Sequence, residues 1–419
     1  MRSGDGTSPL RWWMLALAAI AVSSSYYEDD VIGNIADLLH RQRGITQSQL
    51  GMLNAIISIP NAVLALYAGL LIDRYGPARI ALWSASIGVL GAALTAIGTP
   101  YALMVVGRFI FGISEGSIFI ALIAGLAQWF PRSGIALATS LYLSLARVGS
   151  FAVDKSPTWA RPLYDQGWQP PLWLGAGITA AGFAAALLYF WVDRRYRLPR
   201  HVAAETESRV QWRELLSFDL SYWYILGLHV LYAAVFFPFR TTYVTEYFQH
   251  VKGLTLQQAS DTNSWVFFAA IFATPFFGLL ADRIGHRALM LAFGTLLLPL
   301  TFVVLGMTGL NLWVTTVMMG ISFSLVPAII WPATTLIVEP RRLGTALGLI
   351  TLIQALGMFA SNLVAGAAAD AAGAGSQNPA GYAVMMWFFF LLSLTALASA
   401  LLLWRREAGP SGHGLENAR

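Results

Sequence analysis

None of the 419 residues is cysteine, which removes disulfides, thiolate metal sites and thiol nucleophiles together. Charge is nearly as scarce. Asp, Glu, Lys and Arg make up 11% of the chain, where a soluble domain carries about a quarter. Lysine is limited to Lys155 and Lys252, and an alanine-rich, arginine-heavy balance of this kind suggests a GC-rich bacterial genome. No Walker loop or nucleophile motif is present, and the six histidines are scattered without metal-ligand spacing. The sequence therefore predicts no enzyme, no ATP-driven pump, no metal and no cofactor. Any work must draw on solute or ion gradients. The net charge of +5 is not gathered into a patch, which argues against nucleic acid.

What fills the chain is apolar: 57% hydrophobic residues and a mean hydropathy of +0.62, which points to a lipid bilayer. A helix needs ~20 residues to cross ~30 Å of hydrocarbon. That ruler predicts twelve spans, the first six at roughly 11–38, 47–71, 79–98, 102–130, 135–153 and 170–192. The other six lie at roughly 219–247, 259–281, 287–307, 311–338, 343–369 and 380–404. The apolar run from Trp12 to Val22 has no small-residue cleavage site and reads as the first span rather than a signal peptide. Residues 154–169 read as an interfacial loop. Residues 193–218 read as an arginine-rich linker with a short surface helix over 201–214. Residues 405–419 form a Gly-, Ser- and Pro-containing tail, predicted to be disordered beyond Arg406. The domains expected are thus 1–192, the linker 193–218, 219–404 and the tail. Of the 26 basic residues, 18 fall in loops on one side and 5 on the other. The positive-inside rule then places both termini in the cytoplasm.

The stretch GLLIDRYGPAR, Gly69 to Arg79, returns about half a chain later as GLLADRIGHR, Gly278 to Arg287. A second pair, PRSGIALA at Pro131 and PRRLGTALG at Pro340, repeats at the same offset with one residue inserted after the second arginine, as expected of a duplicated chain. The G-x-x-x-D-R-x-G pattern resembles the signature loop of the major facilitator superfamily. That resemblance implies an all-α membrane protein with twelve transmembrane helices in two six-helix pseudo-symmetric halves. It also implies a solute site between the halves and transport by alternating access. Glycines Gly69, Gly76, Gly278 and Gly285 suit tight turns. Asp73, Arg74, Asp282 and Arg283 are expected to make charge-assisted contacts that close a cytoplasmic gate.

Ionisable groups inside a membrane are costly and mark function by default. The fourth span carries Arg108 and Glu115, seven apart and therefore on nearly one face. Arg108-x-x-x-Gly112 resembles the superfamily's proton-coupling motif, so Arg108, Glu115 and Asp30 are the coupling candidates. Arg147 lies in the fifth span. The first span holds Tyr26-Tyr27-Glu28-Asp29-Asp30, where at most one or two acids can face a cavity, and Asp30 is predicted to do so. The second half contributes Arg240, Trp331 and Gln354 beside Pro238, Pro327 and Pro332, and a lone His229 read as core packing. The prolines predict kinks.

Four stretches, GRFIFGISEGS, LSLARVGS, AVFFPF and IIWPATTLIVEPRRLGTALGLITLIQALG, resemble the branch that contains the animal lysosomal dipeptide transporter and its bacterial relatives. The resemblance spans about Tyr26 to Asp370. It implies Arg147 as a substrate-binding arginine, with Asp30 and Gln354 in the same site and Tyr27, Glu115, Arg240 and Trp331 as further candidates. Three departures stand out: the acid sits one position early in Ser114-Glu115-Gly116, Val31-Ile32 replaces Asn-Pro, and Arg240 stands where an apolar residue is expected. An added arginine and a displaced acid would favour anions. The expected function is secondary transport of a dipeptide or amino-acid-like zwitterion. A proton-coupled organic-anion carrier and a non-transporting receptor or accessory subunit are the alternatives. The expected partners are the solute, protons and lipid. The expected setting is a bacterial inner membrane, with the protein a monomer.

Overall fold

The computed structural model describes residues 9–131, 134–196, 218–307, 311–339, 342–410 and 412–417. The expected linker helix over 201–214 and the arginines of both PR pairs lie outside them. The described chain is helical, with one isolated bridge between Gly375 and Asn378. The first part comprises α1 (Leu10–Asn34), α2 (Ala36–Arg43), α3 (Gln47–Tyr75), α4 (Pro77–Ile97), α5 (Tyr101–Trp129), α6 (Ile135–Trp159), α7 (Arg161–Gln166) and α8 (Gln169–Tyr196). After these come α9 (Leu220–Phe237), α10 (Val244–Lys252), α11 (Leu256–Ile284), α12 (Arg287–Met307), α13 (Leu312–Ile337), α14 (Leu343–Ala371) and α15 (Tyr382–Glu407). Every predicted span has its long helix. Among the described residues nine helices are long and apolar enough to cross a membrane, or ten if α3, bent by 59°, counts as one span.

Three boundaries differ from expectation. The first span breaks at Ile35, whose φ of −109° and ψ of 7° separate α1 from the short α2. The predicted interfacial loop is largely helical, because α6 runs on through Pro157. A proline cannot donate to the carbonyl four residues back. Here Ser156 Oγ donates to that carbonyl, Val153 O, at 2.6 Å. The tail beyond Arg406 is also packed. Leu415 is buried, its carbonyl accepts from Arg287 N at 2.9 Å, and the Glu416 carboxylate accepts from Leu289 N at 3.2 Å and His286 Nδ1 at 2.8 Å. The first-turn amides of α12 need acceptors and favour negative charge, and the tail supplies both.

Pro238 has a similar consequence. Between α9 and α10 the chain makes a π-helical turn over Pro238–Tyr243. The carbonyl that Pro238 leaves free, Ala234 O, accepts from Ser361 Oγ of α14 at 2.5 Å. Such turns widen a helix locally and re-aim its side chains.

The chain divides into two compact units. The first holds Met1–Val31, Ile56–Ser156 and Ala160–Thr206; the second holds Ile32–Ala55, Pro157–Trp159 and Glu207–Arg419. In the first, small residues let helices touch, as expected where lipid supplies no hydrophobic drive between them. A Cβ on Gly149 of α6 would lie 1.8 Å from Ser23 O, and one on Gly182 of α8 would lie 1.8 Å from Ser24 Oγ. Gly149→Ala must push α6 off α1, and overpacking of this kind costs ~1–3 kcal/mol. The expected outcome is a lower melting temperature of the purified protein; an unchanged one would show that α1 and α6 are less tightly joined than drawn. In the second unit a Cβ on Gly33 would meet Thr241 O at 2.1 Å and one on Gly51 would meet Asn362 O at 2.5 Å. Asn54 Nδ2 donates to Thr242 Oγ1 (2.8 Å), which donates to Asn362 Oδ1 (2.9 Å). These bonds tie the start of α3 to the π turn and α14.

Candidate functional site

In the first unit Arg108 is wholly buried. Its Nη1 donates to Glu28 O and its Nη2 to Asp29 O, each at 2.7 Å, and Asp29 Oδ1 lies 3.7 Å from Nη2. The planar fork of the guanidinium thus clamps α5 onto the backbone of α1 at the acidic triplet.

The three acids of that triplet take three environments. Glu28 is fully buried, and among the described residues neither carboxyl oxygen has a hydrogen-bond partner; it fills the notch left by Gly175 of α8, where a Cβ would lie 2.3 Å from Oε2. Asp30, the acid expected to face a cavity, is 4% exposed. Asp29 keeps a side-chain exposure of 28% and is the most accessible of the three. The neighbouring aromatic pair is also split by the 100° turn per residue. Tyr27, the expected solute contact, is buried against α8 at the Gly175 notch. Tyr26 instead lies under the half-buried Arg147, whose guanidinium carbon is 4.7 Å from the ring centroid. Glu115, also half-buried, accepts from Asn61 Nδ2 at 3.4 Å. Asp29, Asp30, Glu115 and Arg147 all fall within electrostatic reach of Tyr26. One cation in contact and three acids within electrostatic reach thus bear on a single tyrosine.

In the second unit His229 joins two of the expected solute contacts. Its Nε2 lies 2.7 Å from Gln354 Oε1, and its ring packs edge-on against Trp331 with centroids 5.1 Å apart. Trp331 is 39% exposed and Gln354 half-buried. Arg240 is carried by the π turn and is 1% exposed; its guanidinium carbon lies 3.7 Å above the Phe267 centroid. That is a tight cation–π contact.

The two signature loops share one device. Gly76 (φ +87°) and Gly285 (φ +73°) hold positive φ, which only glycine adopts without strain. Gly69 and Gly278 lie inside helices, where an added Cβ would meet no atom within 4 Å, so the turn does not require them. Asp73, Arg74 and Arg283 are exposed, with Arg74 over the Tyr75 ring at 5.2 Å. Asp282 accepts from Arg287 Nη2 of its own loop at 2.8 Å.

The family model described as Major Facilitator Superfamily matches residues 18–261 and 225–418, most of the chain. The chain belongs to the major facilitator superfamily. Among its relatives is the "Lysosomal dipeptide transporter MFSD1" of Bos taurus, 28% identical over 96% of this chain and 86% of that protein. A more distant one is the "Probable sulfoacetate transporter SauU" of Cupriavidus necator, 23% identical over 68% of this chain and 69% of that protein. Among solved structures, a bacterial homolog of the human lysosomal transporter Spinster superposes with a TM-score of 0.73 at 16% identity, covering 95% of this chain and 98% of the other. As a member of the major facilitator superfamily the chain is a multi-pass membrane transporter of small solutes and not an enzyme.

Within this superfamily member, sequence reasoning passed over Tyr26, Asn61 and Phe267 and set His229 aside as packing. Tyr26 and Tyr27 are identical in sequence terms, and only the Gly175 notch decides which turns inward. His229 lies 125 positions from Gln354, so no spacing signals the pair.

Proposed function

We propose that this transporter carries a dipeptide or amino-acid-like zwitterion by alternating access, with Arg147 holding the carboxylate and an acid of the Tyr26 cluster holding the amino group. The observation that carries this reading is the placement of Arg147 on Tyr26, with Asp29, Asp30 and Glu115 in electrostatic reach of the same ring. Two opposite charges at a fixed separation are what a zwitterion requires. Asp29 takes the amino-group role before Asp30 because it is the more exposed. The bovine relative, a lysosomal dipeptide transporter by name, supports the same class.

The organic-anion reading is favoured by the sulfoacetate relative. Arg240, its second arginine, speaks against it, because that guanidinium is buried against Phe267. A thermal-shift screen of the purified protein against dipeptides and small organic acids separates the two, since a bound ligand raises apparent stability by mass action. Dipeptides are expected to shift the melting temperature; a shift by organic acids alone would select the anion carrier. Uptake by proteoliposomes with and without a pH gradient then tells uniport from proton symport, for which Arg108, Glu115 and Asp30 are the coupling candidates.

The proposed setting is a bacterial inner membrane with a monomeric protein and both termini cytoplasmic, following the 18-to-5 loop bias. In this reading Asp73, Arg74, Asp282 and Arg283 serve the cytoplasmic gate. A C-terminal reporter fusion active only outside the cytoplasm is expected to stay silent; an active one would reverse the orientation.

A further inference from the structure

Six polar side chains of the second unit meet where α2, the start of α3, α10 and the start of α15 converge: Asp37, His40, Gln47, Glu246, His250 and Tyr382. We propose that Asp37, Glu246 and His250 bind a divalent transition cation of the Zn²⁺ class, with His40 as the adjacent fourth donor.

Their donor atoms are already gathered. One ligand atom each from Asp37, Glu246 and His250 lie within 4.8 Å of one another, and Asp37 and Glu246 are buried. His250 Nε2 stands 2.9 Å from Asp37 Oδ1. Tetrahedral zinc with ligand bonds of ~2.0–2.2 Å holds its donors ~3.3 Å apart, so closing on an ion requires side-chain adjustment alone.

Asp37 Oδ1 also accepts from Arg41 Nε at 2.9 Å, so an ion would share that oxygen with a guanidinium. His40 Nδ1 is hydrogen-bonded to Ile45 O, which places the proton of a neutral imidazole on Nδ1. Its Nε2 lone pair then faces Glu246, with both carboxylate oxygens at 3.2 Å. In a neutral imidazole that lone pair opposes the carboxylate, and either a proton on Nε2 or a cation held between them removes the repulsion. Among the described residues Gln47 Oε1 is buried with no hydrogen bond, and the buried Glu246 Oε1 has only ring nitrogens near it, His40 Nε2 at 3.2 Å and His250 Nδ1 at 3.6 Å. Orphaned acceptors at that depth need an explanation, and a bound ion supplies one.

The surroundings fit a metal site. Tyr382 Oη lies 2.9 Å from His250 Nδ1, so that nitrogen can donate to the phenol while Nε2 coordinates. Gln47 Nε2 donates to Glu246 Oε2 at 3.0 Å and so fixes the carboxylate. Outer partners of this kind orient ligands and tune affinity. Imidazole with two carboxylates suits Zn²⁺, Co²⁺ or Ni²⁺; Ca²⁺ and Mg²⁺ prefer all-oxygen shells, and soft Cu⁺ prefers sulfur. Asp37 and His40 belong to α2, and Glu246 and His250 to α10, so the ion would fasten Ile32–Ala55 to the rest of its unit.

The test is equilibrium dialysis of the untagged, metal-free, full-length protein against ZnCl₂, with thermal stability measured on the same samples. One saturable zinc per chain is expected, together with a zinc-dependent rise in melting temperature. His250→Ala and Glu246→Gln should each weaken binding by about 10–100-fold or more and remove the rise. If either variant fails to fold, Asp37→Asn on the short α2 provides the same test. No saturable binding in the wild type would overturn the proposal, and so would binding that every folded variant retains. The second result would point to the exposed His286 or the half-buried His413 instead.

Discussion

Arg108→Ala is expected to be the most damaging single substitution in the first unit, lowering stability by about 3–5 kcal/mol. The guanidinium is wholly buried and donates to two carbonyls of α1, beside one acid that is fully buried and another that is partly buried. Truncation removes both bonds, leaves a cavity and strips the positive charge from a site holding Glu28 and Asp29. Arg108→Lys keeps the charge but cannot span both carbonyls with one ammonium, so an intermediate loss is expected. Melting temperature and yield in detergent measure both. An alanine variant as stable as the wild type would mean that Arg108 does not clamp α1.

Arg147→Ala has the opposite profile. Arg147 is half-buried and rests on the face of Tyr26 rather than inside a packed shell. The variant should fold with a near-unchanged melting temperature but lose solute affinity by about 100-fold, roughly 2.7 kcal/mol, within the 2–5 kcal/mol range for removing one partner of a desolvated charge pair. Isothermal titration with the best dipeptide reads it. A folded variant with unchanged affinity would remove Arg147 from the site.

The contrast between these two arginines was only half legible in the sequence. The spans were readable because apolar runs of ~20 residues have few other uses, and the halves because the DRxG loop appears twice. The rotational setting of each helix was not. Adjacent residues differ by 100°, and the notches at Gly149, Gly175 and Gly182 decide that Tyr26 meets Arg147 while Tyr27 and Glu28 turn into the core. The π turn after Phe237 adds a second loss of phase, carrying Arg240 onto Phe267. Contacts between distant segments were equally hidden: His40 and Glu246 are 206 positions apart. The tail read as disordered by composition, because its role as an acceptor for the first turn of α12 depends on amides that composition does not show.

The central claim is that Arg147 reads the carboxylate of a zwitterion. The most direct test compares the affinity of one dipeptide with that of its C-terminal amide, in the wild type and in Arg147→Ala. Amidation removes the negative charge and changes little else. The wild type should prefer the free acid by about 100-fold, while Arg147→Ala should bind both forms weakly and equally. An Arg147→Ala protein that still prefers the free acid by the wild-type margin would contradict the account.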